Sequence, residues 1–600
     1  MIIPMKKYTF LVYHKEYDLF LNDLQKLGVV HVIEKGSGEL ENEELQNNYL
    51  QIKELRKAIK FLNDRKPEQL EAPGKSDTLT ILENLNSLQA EQEKLSQDLI
   101  IENKELAAMG PWGNFDWKDI KKLEEGGLQT RFFSCNINKY EDSIEGEYYT
   151  EIISTEGSHV NFVLFDTAEN KTEIDAEELA LPIKSLDEIE KQIIKAKEQI
   201  VAIEEEYRNI AQKHLRLLEQ AKDKISKQLA FDKVILNTRK EAEEKLMVLE
   251  GWAPKDTEPD LERLLNEKGI YYESTMPEKE DHVPIKLKNN RFAKLYEAIG
   301  ELYTFPDYAE LDLTPFFAPF FMLFFGFCLG DAGYGLLILV ATIIGVYKVK
   351  PSLKPIMKLG MYLGLATVIM GIVSGTFFGI MLLDVEWQWI QKYKGLMLNS
   401  NKLMTLSLIL GYIQIVFGMF LKAFNKIRMY GIHHGISQFG WIIIVIATIP
   451  SIAAIKMELV SPETGRQAAI ISGVIGGIPA LFYNSPGKNV FLNLGIGVWD
   501  AYGMASGLLG DLLSYIRLFA LGISSAVLGS VFNNLAFNLS PDTIILKQLV
   551  ILLILAFGHS LNLFMAALGS FVHPLRLTFV EFYKNAGFMG GGKKYQPFTK

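Results

Sequence analysis

The chain has 600 residues, a formal net charge of -10 and two cysteines, Cys135 and Cys328. That length exceeds what one hydrophobic core organises, so at least two domains are expected. The acidic balance, with no basic stripe interleaved with aromatics, excludes nucleic acid as a partner. One cysteine in each half excludes a disulfide framework and a cysteine-based metal cluster.

Up to about residue 315 the chain is rich in Lys, Glu, Gln and Asn; beyond it come long apolar runs with sparse charge. The opening MIIPMKKYTFLVYHKEY has no charged leader followed by an apolar run and a cleavage site, so it reads as a cytoplasmic domain rather than a signal peptide. Residues 5–35 read as strand, helix, strand. From about 40 to 108 the pattern is helical: Ile52, Leu55, Ile59 and Leu62, then Leu85, Leu88, Leu95 and Leu99 with Gln92 filling one slot. A break containing Pro67, Pro73 and Gly74 interrupts this arm.

The insert at 112–183 is strand-rich and predicts a distal α/β lobe. A second helical arm over 185–245 has the cleanest periodicity in the chain. Leu186, Ile189, Ile193, Ala196, Ile200, Ile203, Tyr207 and Ile210 alternate by three and four, and His214, Leu217 and Ala221 extend the seam. Ser185 with Glu188 makes a capping box at its start. Two antiparallel arms of this length predict a coiled-coil hairpin about 80–100 Å long at 1.5 Å per residue. MVLEGWAP and IYYEST predict strands that rejoin the N-terminal segment, giving a proximal α/β lobe from 1–38 and 246–290. Such a rod suits a strut reaching a distant partner; a coiled coil that only dimerises is the alternative.

Gly74-Lys75-Ser76 resembles the end of a phosphate-binding loop, but Gln69 stands where the frame requires glycine. His14, His31, His159 and His282 are isolated, and no nucleophile–base pair is visible. The chain therefore reads as carrying no catalytic nucleotide site, metal or cofactor.

From 316 to 600 the chain reads as a membrane domain with apolar segments near 315–330, 332–347, 359–383, 403–424, 436–455, 467–483, 491–535 and 543–583. A hydrocarbon core of about 30 Å needs about 20 helical residues, so eight spans are expected, the first two short and the last two long and tilted. Lys348, Lys350, Lys354 and Lys358 follow the second span; Lys422, Lys426 and Arg428 follow the fourth; Lys593 and Lys594 follow the eighth. The opposite loops are mixed or acidic, as at Asp384 and Glu386 with Trp387 and Trp389. The bias of basic loops places both termini in the cytoplasm.

Charges inside spans mark ion paths or paired sites. In the seventh segment Asp500, Gly503, Gly507, Asp511 and Ser514 share one stripe, with Arg517 on the adjoining face. In the eighth, His559, Asn562, Ala566, Gly569, His573 and Arg576 recur at three and four, and Glu581 follows. Two such stripes with one arginine each point to ion translocation. The alternative is that each arginine pairs with a carboxylate, Asp511 or Glu581, to lock two helices; His559 and His573 read equally as interhelical hydrogen-bonders. Gly507, Gly522 and Gly529 read as close-packing positions.

At these residues the chain resembles the a-subunit, or subunit I, of V/A-type ATPases. The matches are LGDLLSYIRLFALGISSAVL around Arg517, FVHPLRLTFVEF around Arg576 with the Gly-rich tail and KKYQPF, and FPDYAELDLTPFFAPFFMLFFGFCLGDAGYG at 305–335. The resemblance implies a stator subunit facing a ring of proteolipid subunits, with two offset half-channels. Arg517 would expel H+ or Na+ from each arriving ring carboxylate and block leakage, since arginine stays charged, and Arg576 would assist. Asp500, Asp511, Ser514, His559, Asn562, His573 and Glu581 are the half-channel candidates. Peripheral-stalk E/G-type subunits would bind the distal lobe, the central stalk and soluble ATPase sector would be indirect partners, and the location would be the cell membrane. Ala566 and Ser525 stand where eukaryotic relatives commonly carry a glutamate and a histidine, which places the chain nearer the prokaryotic type. A stand-alone transporter or channel with a cytoplasmic rod would instead show an internal repeat with broken helices, and a membrane-anchored tether leaves two intramembrane arginines unexplained.

Overall fold

A computed structural model describes residues 1–34, 43–65, 67, 71, 77–144, 147–167, 173–278, 280–383, 386, 391, 394–456, 458, 460–484, 489–541 and 543–599. Pro73, Gly74, Lys75, Ser76, Asp384, Trp387 and Trp389 lie outside the described residues. The chain forms two compact units, Glu34–Thr238 and Met1–Ile33 with Arg239–Lys600.

In the first unit, helices Glu43–Asn63 and Thr78–Met109 pack on the 51-residue helix Leu186–Leu236. Leu45 and Ile52 meet Leu229, Leu62 and Leu85 join Ile203 to Leu218, and Met109 meets Ile189 and Ile193. That order is antiparallel. The Ser185 N–H donates to Glu188 Oε2 at 3.1 Å, as the capping box requires. The seam drifts, however: Ile189, Ile193, Ala196, Ile203, Tyr207 and Ile210 are buried, but further on Ala211, Leu215 and Leu218 are buried while His214 and Leu217 are only half-buried. A straight helix has 3.6 residues per turn against the 3.5 of a heptad. It loses about 20° per heptad, roughly one residue over this length. The return arm also stops at Leu236, because Arg239–Glu241 turns into a strand beside Leu246–Pro254. The insert folds as an antiparallel sheet in the order Thr150–Glu156, His159–Thr167, Leu128–Asn136, Glu177–Glu178. Its middle strand HVNFVLFDT buries Val160 to Leu164.

The second unit begins with a sheet ordered His31–Val32, Leu246–Pro254, Met5–Tyr13, Tyr271–Thr275, in which Met5 faces Pro254 and Tyr13 faces Leu246. Tyr8, Phe10 and Leu249 are fully buried against helices Tyr17–Leu27 and Glu258–Lys268. The chain's last residues thread along this lobe. The Ile285 N–H donates to the Lys593 carbonyl at 2.7 Å, Tyr595 returns one to Ile285 at 3.0 Å, and Phe598 donates to the Val30 carbonyl at 2.8 Å.

Among the described residues, six apolar segments are long enough to cross a membrane: Pro351–Ser374, Ser400–Tyr430, Ile432–Ile455, Pro462–Phe482, Val490–Asn538 and Ile544–Ala586. Two shorter apolar helices, Thr314–Leu329 and Ala332–Lys348, precede them. The helix expected over 359–383 ends at Ser374, because Gly375 caps it in the left-handed region (φ 69°) and Thr376–Phe377 pairs back on Ile380–Met381. Phe317, Phe321 and Phe324 are completely buried and hold the first short helix inside the bundle.

Candidate functional site

The segment Val490–Asn538 is two helices, Val490–Ser514 and Ile516–Asn538, with Tyr515 between them. Tyr515 is fully buried and donates its hydroxyl to Gln414 Oε1 at 2.7 Å. That anchor fixes the joint, and Arg517 follows it by two residues. Its Nη1 is buried with no hydrogen-bond partner, and among the described residues Arg517 forms no ion pair. Cys328 and His573 lie within its electrostatic range.

The last helix, Ile544–Arg576, continues through a π-turn, Leu577–Phe582, into Tyr583–Ala586. The turn is what brings Glu581 to the site. Residues five apart diverge by about 140° on an α-helix but come much closer to one line on the wider turn of a π-helix. Arg576 Nε therefore stands 3.9 Å from Glu581 Oε1, although the guanidinium is 57% exposed and the carboxylate only 3%. Glu581 Oε2, Thr578 Oγ1 and Ser570 Oγ are buried without partners. Glu581 also lies near Ser514, and His573 within reach of both arginine charges. Arg517, His573, Arg576, Glu581 and Ser514 thus form one cluster.

Asp511 adjoins the cluster but pairs with neither arginine. Lys584 Nζ sits 3.0 and 3.2 Å from its two carboxylate oxygens, and Asn585 Nδ2 donates to Oδ2 at 2.8 Å. Asp500, on the same sequence stripe, is exposed and accepts from Asn484 instead.

His559 and Asn562 belong to a second polar group. Asn562 lies fourteen residues before Arg576, about 21 Å along the helix. Asn562 Nδ2 donates to Tyr334 Oη and to the Ser525 carbonyl, each at 2.9 Å; Tyr334 Oη is 2.7 Å from His559 Nδ1, and His559 Nε2 is 3.0 Å from Asn533 Oδ1. Asn533 Nδ2 donates to the Phe378 carbonyl at 2.8 Å. Asp331, completely buried, completes the support by accepting the N–H groups of Gly333, Tyr334, Phe378 and Gly379 at 2.8–3.1 Å. Ala566 is half-buried in an apolar cluster, and Ser525 Oγ is buried without a partner.

Sequence reasoning missed Lys584, Asn585, Tyr334, Asn533 and Asp331. Tyr334 and Asp331 lie in the conspicuous GDAGYG segment, which was a usable signal; the others act through tertiary neighbours.

The fold and these buried charges define a multi-pass membrane protein with a polar site inside its helical bundle. Residues 170–385 match the model of the V-type ATPase 116kDa subunit family. That match ends before the Arg517 helix, but relatives extend through it. The chain is 24% identical to the V-type ATP synthase subunit I of Borreliella burgdorferi over 618 aligned residues, covering 100% of each. It is 25% identical to V-type ATP synthase subunit I 1 of Treponema pallidum, again over 100% of both. The A-type ATP synthase subunit I of Methanocaldococcus jannaschii is 30% identical over 58% of this chain and 54% of its own length. A crystal structure of the cytoplasmic N-terminal domain of a subunit I, homolog of subunit a of V-ATPase, matches 45% of this chain and 100% of that one at 14% identity and a TM-score of 0.22.

Proposed function

We propose that the chain is the stator membrane subunit of a rotary V/A-type ATPase and carries H+ or Na+ past a proteolipid ring. The observation that carries this reading is the buried, unpartnered Nη1 of Arg517. A buried guanidinium nitrogen left without a partner is costly, and a carboxylate arriving from another chain relieves that cost transiently. Arg576, exposed on the neighbouring helix, offers a second cation to the same visitor. Ring rotation brings each carboxylate to this pair, the positive field favours its ionised form, and the bound cation leaves. Neither arginine deprotonates, so ions do not leak between the two sides.

The polar groups fall on either side of the arginines, which supports two offset half-channels. Asp511, Ser514 and Glu581 lie towards the end of the chain that the basic loops place in the cytoplasm, with Asp500 further out along the same helix. Ser525, Asn562, His559 and Asn533 lie towards the opposite face, and His573 lies within range of both arginine charges. Eight spans follow if the two short helices also cross, with both termini cytoplasmic. The first unit then serves as the strut for peripheral-stalk E/G-type subunits, and ATP is hydrolysed in the soluble sector, not in this chain.

The test is Arg517→Ala in the assembled complex, reconstituted in vesicles. ATP-driven ion uptake is expected to vanish while the subunit still assembles; uptake at the normal rate overturns the reading.

A further inference from the structure

Lys584 follows the π-turn directly, on the last short helix. Its ammonium meets both oxygens of Asp511 at 3.0 and 3.2 Å, and Asn585 holds the same carboxylate at 2.8 Å. Gly507, one turn before Asp511, makes room: a Cβ there would stand 3.4 Å from the Lys584 Nζ. The two partners need the contact unequally. Lys584's side chain is 56% exposed and Asp511's is 12%. The lysine can reach water by extending along the surface, whereas the carboxylate, shut in the bundle, depends on a counter-charge. Ser514 lies one turn further along the same helix and Glu581 one turn before Lys584, so the pair stands beside the cluster around the arginines.

We propose that Lys584 is a positioning residue of the cytoplasmic ion path: it neutralises Asp511, so that an entering cation passes on towards the arginine pair instead of lodging at a bare carboxylate. This rests on the ion-translocating reading above. An uncompensated carboxylate beside the path raises the local affinity for a cation and slows its departure. An uncompensated lysine does the reverse.

The experiment measures initial ATP-driven uptake by inside-out vesicles carrying the whole complex as external Na+ is varied, or external pH where uptake is independent of Na+. Lys584→Met is expected to lower the half-saturating ion concentration by about tenfold, and to lower the maximal rate, because one fixed charge near the path is left open. Asp511→Asn combined with Lys584→Met restores both to near the parent values, and Lys584→Arg stays close to the parent. Asp511→Asn alone raises half-saturation by about tenfold; it decides the matter if Lys584→Met does not assemble. An unchanged half-saturation in the single variants, or a double variant as slow as Lys584→Met, overturns the proposal, since a helix clamp moves the amount of complex and not its affinity. Failure of the translocation reading looks different: Arg517→Ala then pumps normally.

Discussion

Two arginines of the first unit and two of the membrane helices are treated in opposite ways. In the first unit Arg65 is closed by its own chain. Its Nε and Nη2 donate to the two oxygens of Glu204 at 2.9 and 3.1 Å, Nη1 donates to the Phe61 carbonyl at 3.3 Å, and the guanidinium lies 3.9 Å from the Phe61 ring centre. Arg131 likewise holds Glu178 and Asp166. These are forked, charge-assisted contacts that fix one side-chain geometry. In the membrane helices, where an open charge costs more, Arg517 is left with a buried bare nitrogen and Arg576 with one carboxylate contact at 3.9 Å. On the proposed function the contrast has a reason: Arg65 and Arg131 are closed by their own chain, whereas Arg517 and Arg576 wait for a carboxylate that another chain supplies.

Arg517→Ala is the sharpest way to break that comparison. Uptake is expected to fall at least about a hundredfold, on the order of 3 kcal/mol of lost coupling. Thermal unfolding of the detergent-solubilised subunit should stay level or rise, because removing an unpaired buried charge relieves a cost. A large drop in the unfolding temperature would mean that Arg517 is structural after all, like Arg65. Asp331→Ala should show the reverse pattern. It strands four backbone donors that the carboxylate now satisfies, at a cost of roughly 4 kcal/mol or more. The amount of folded subunit should fall steeply in a membrane-extraction assay, with uptake per assembled complex affected much less.

Local pattern made part of this architecture legible. Arg517 and Arg576 stand out because an arginine in an apolar run has no local explanation. The seam from Ile189 to Ile210 is a repeat along one helix, so its periodicity alone reveals it. What depended on helix register or on distant neighbours did not show. Glu581 is off the Arg576 stripe in an α-helix, and only the π-turn brings it back. Asp500 and Asp511 share a stripe, yet one turns to Asn484 and the other to Lys584. The Tyr334–His559 contact joins residues 225 positions apart, and no spacing rule reaches that far. The drift from His214 to Leu215 was calculable from helix pitch, but a strict heptad reading hides it.

Breaking the closed side of the comparison should have a modest effect. Arg65→Ala removes a pair whose side chains are 26% and 33% exposed, so solvent screening limits the loss to about 1–2 kcal/mol. Hydrogen exchange in the assembled complex should show weaker amide protection around Ile203 to Ile210, with uptake unchanged while the arm remains folded.

The smallest effect is its acid limb. Arg65 is the main cause that holds the Glu204 carboxyl below its ordinary value of 4.5; partial burial opposes it, and the Gln92 amide, donating to the carboxylate at 3.0 Å, adds to it. A carboxylate with a depressed folded value contributes stability that is present above about pH 4.5 and lost as pH falls through that folded value. Protection of the Ile203–Ile210 amides, corrected for intrinsic exchange, should therefore be flat from about pH 7 to 5 and decline only below about pH 4.5. Arg65→Ala should remove most of the part of that decline that Glu204 causes. If protection instead falls between about pH 7 and 6, Glu204 does not govern the acid limb of the arm.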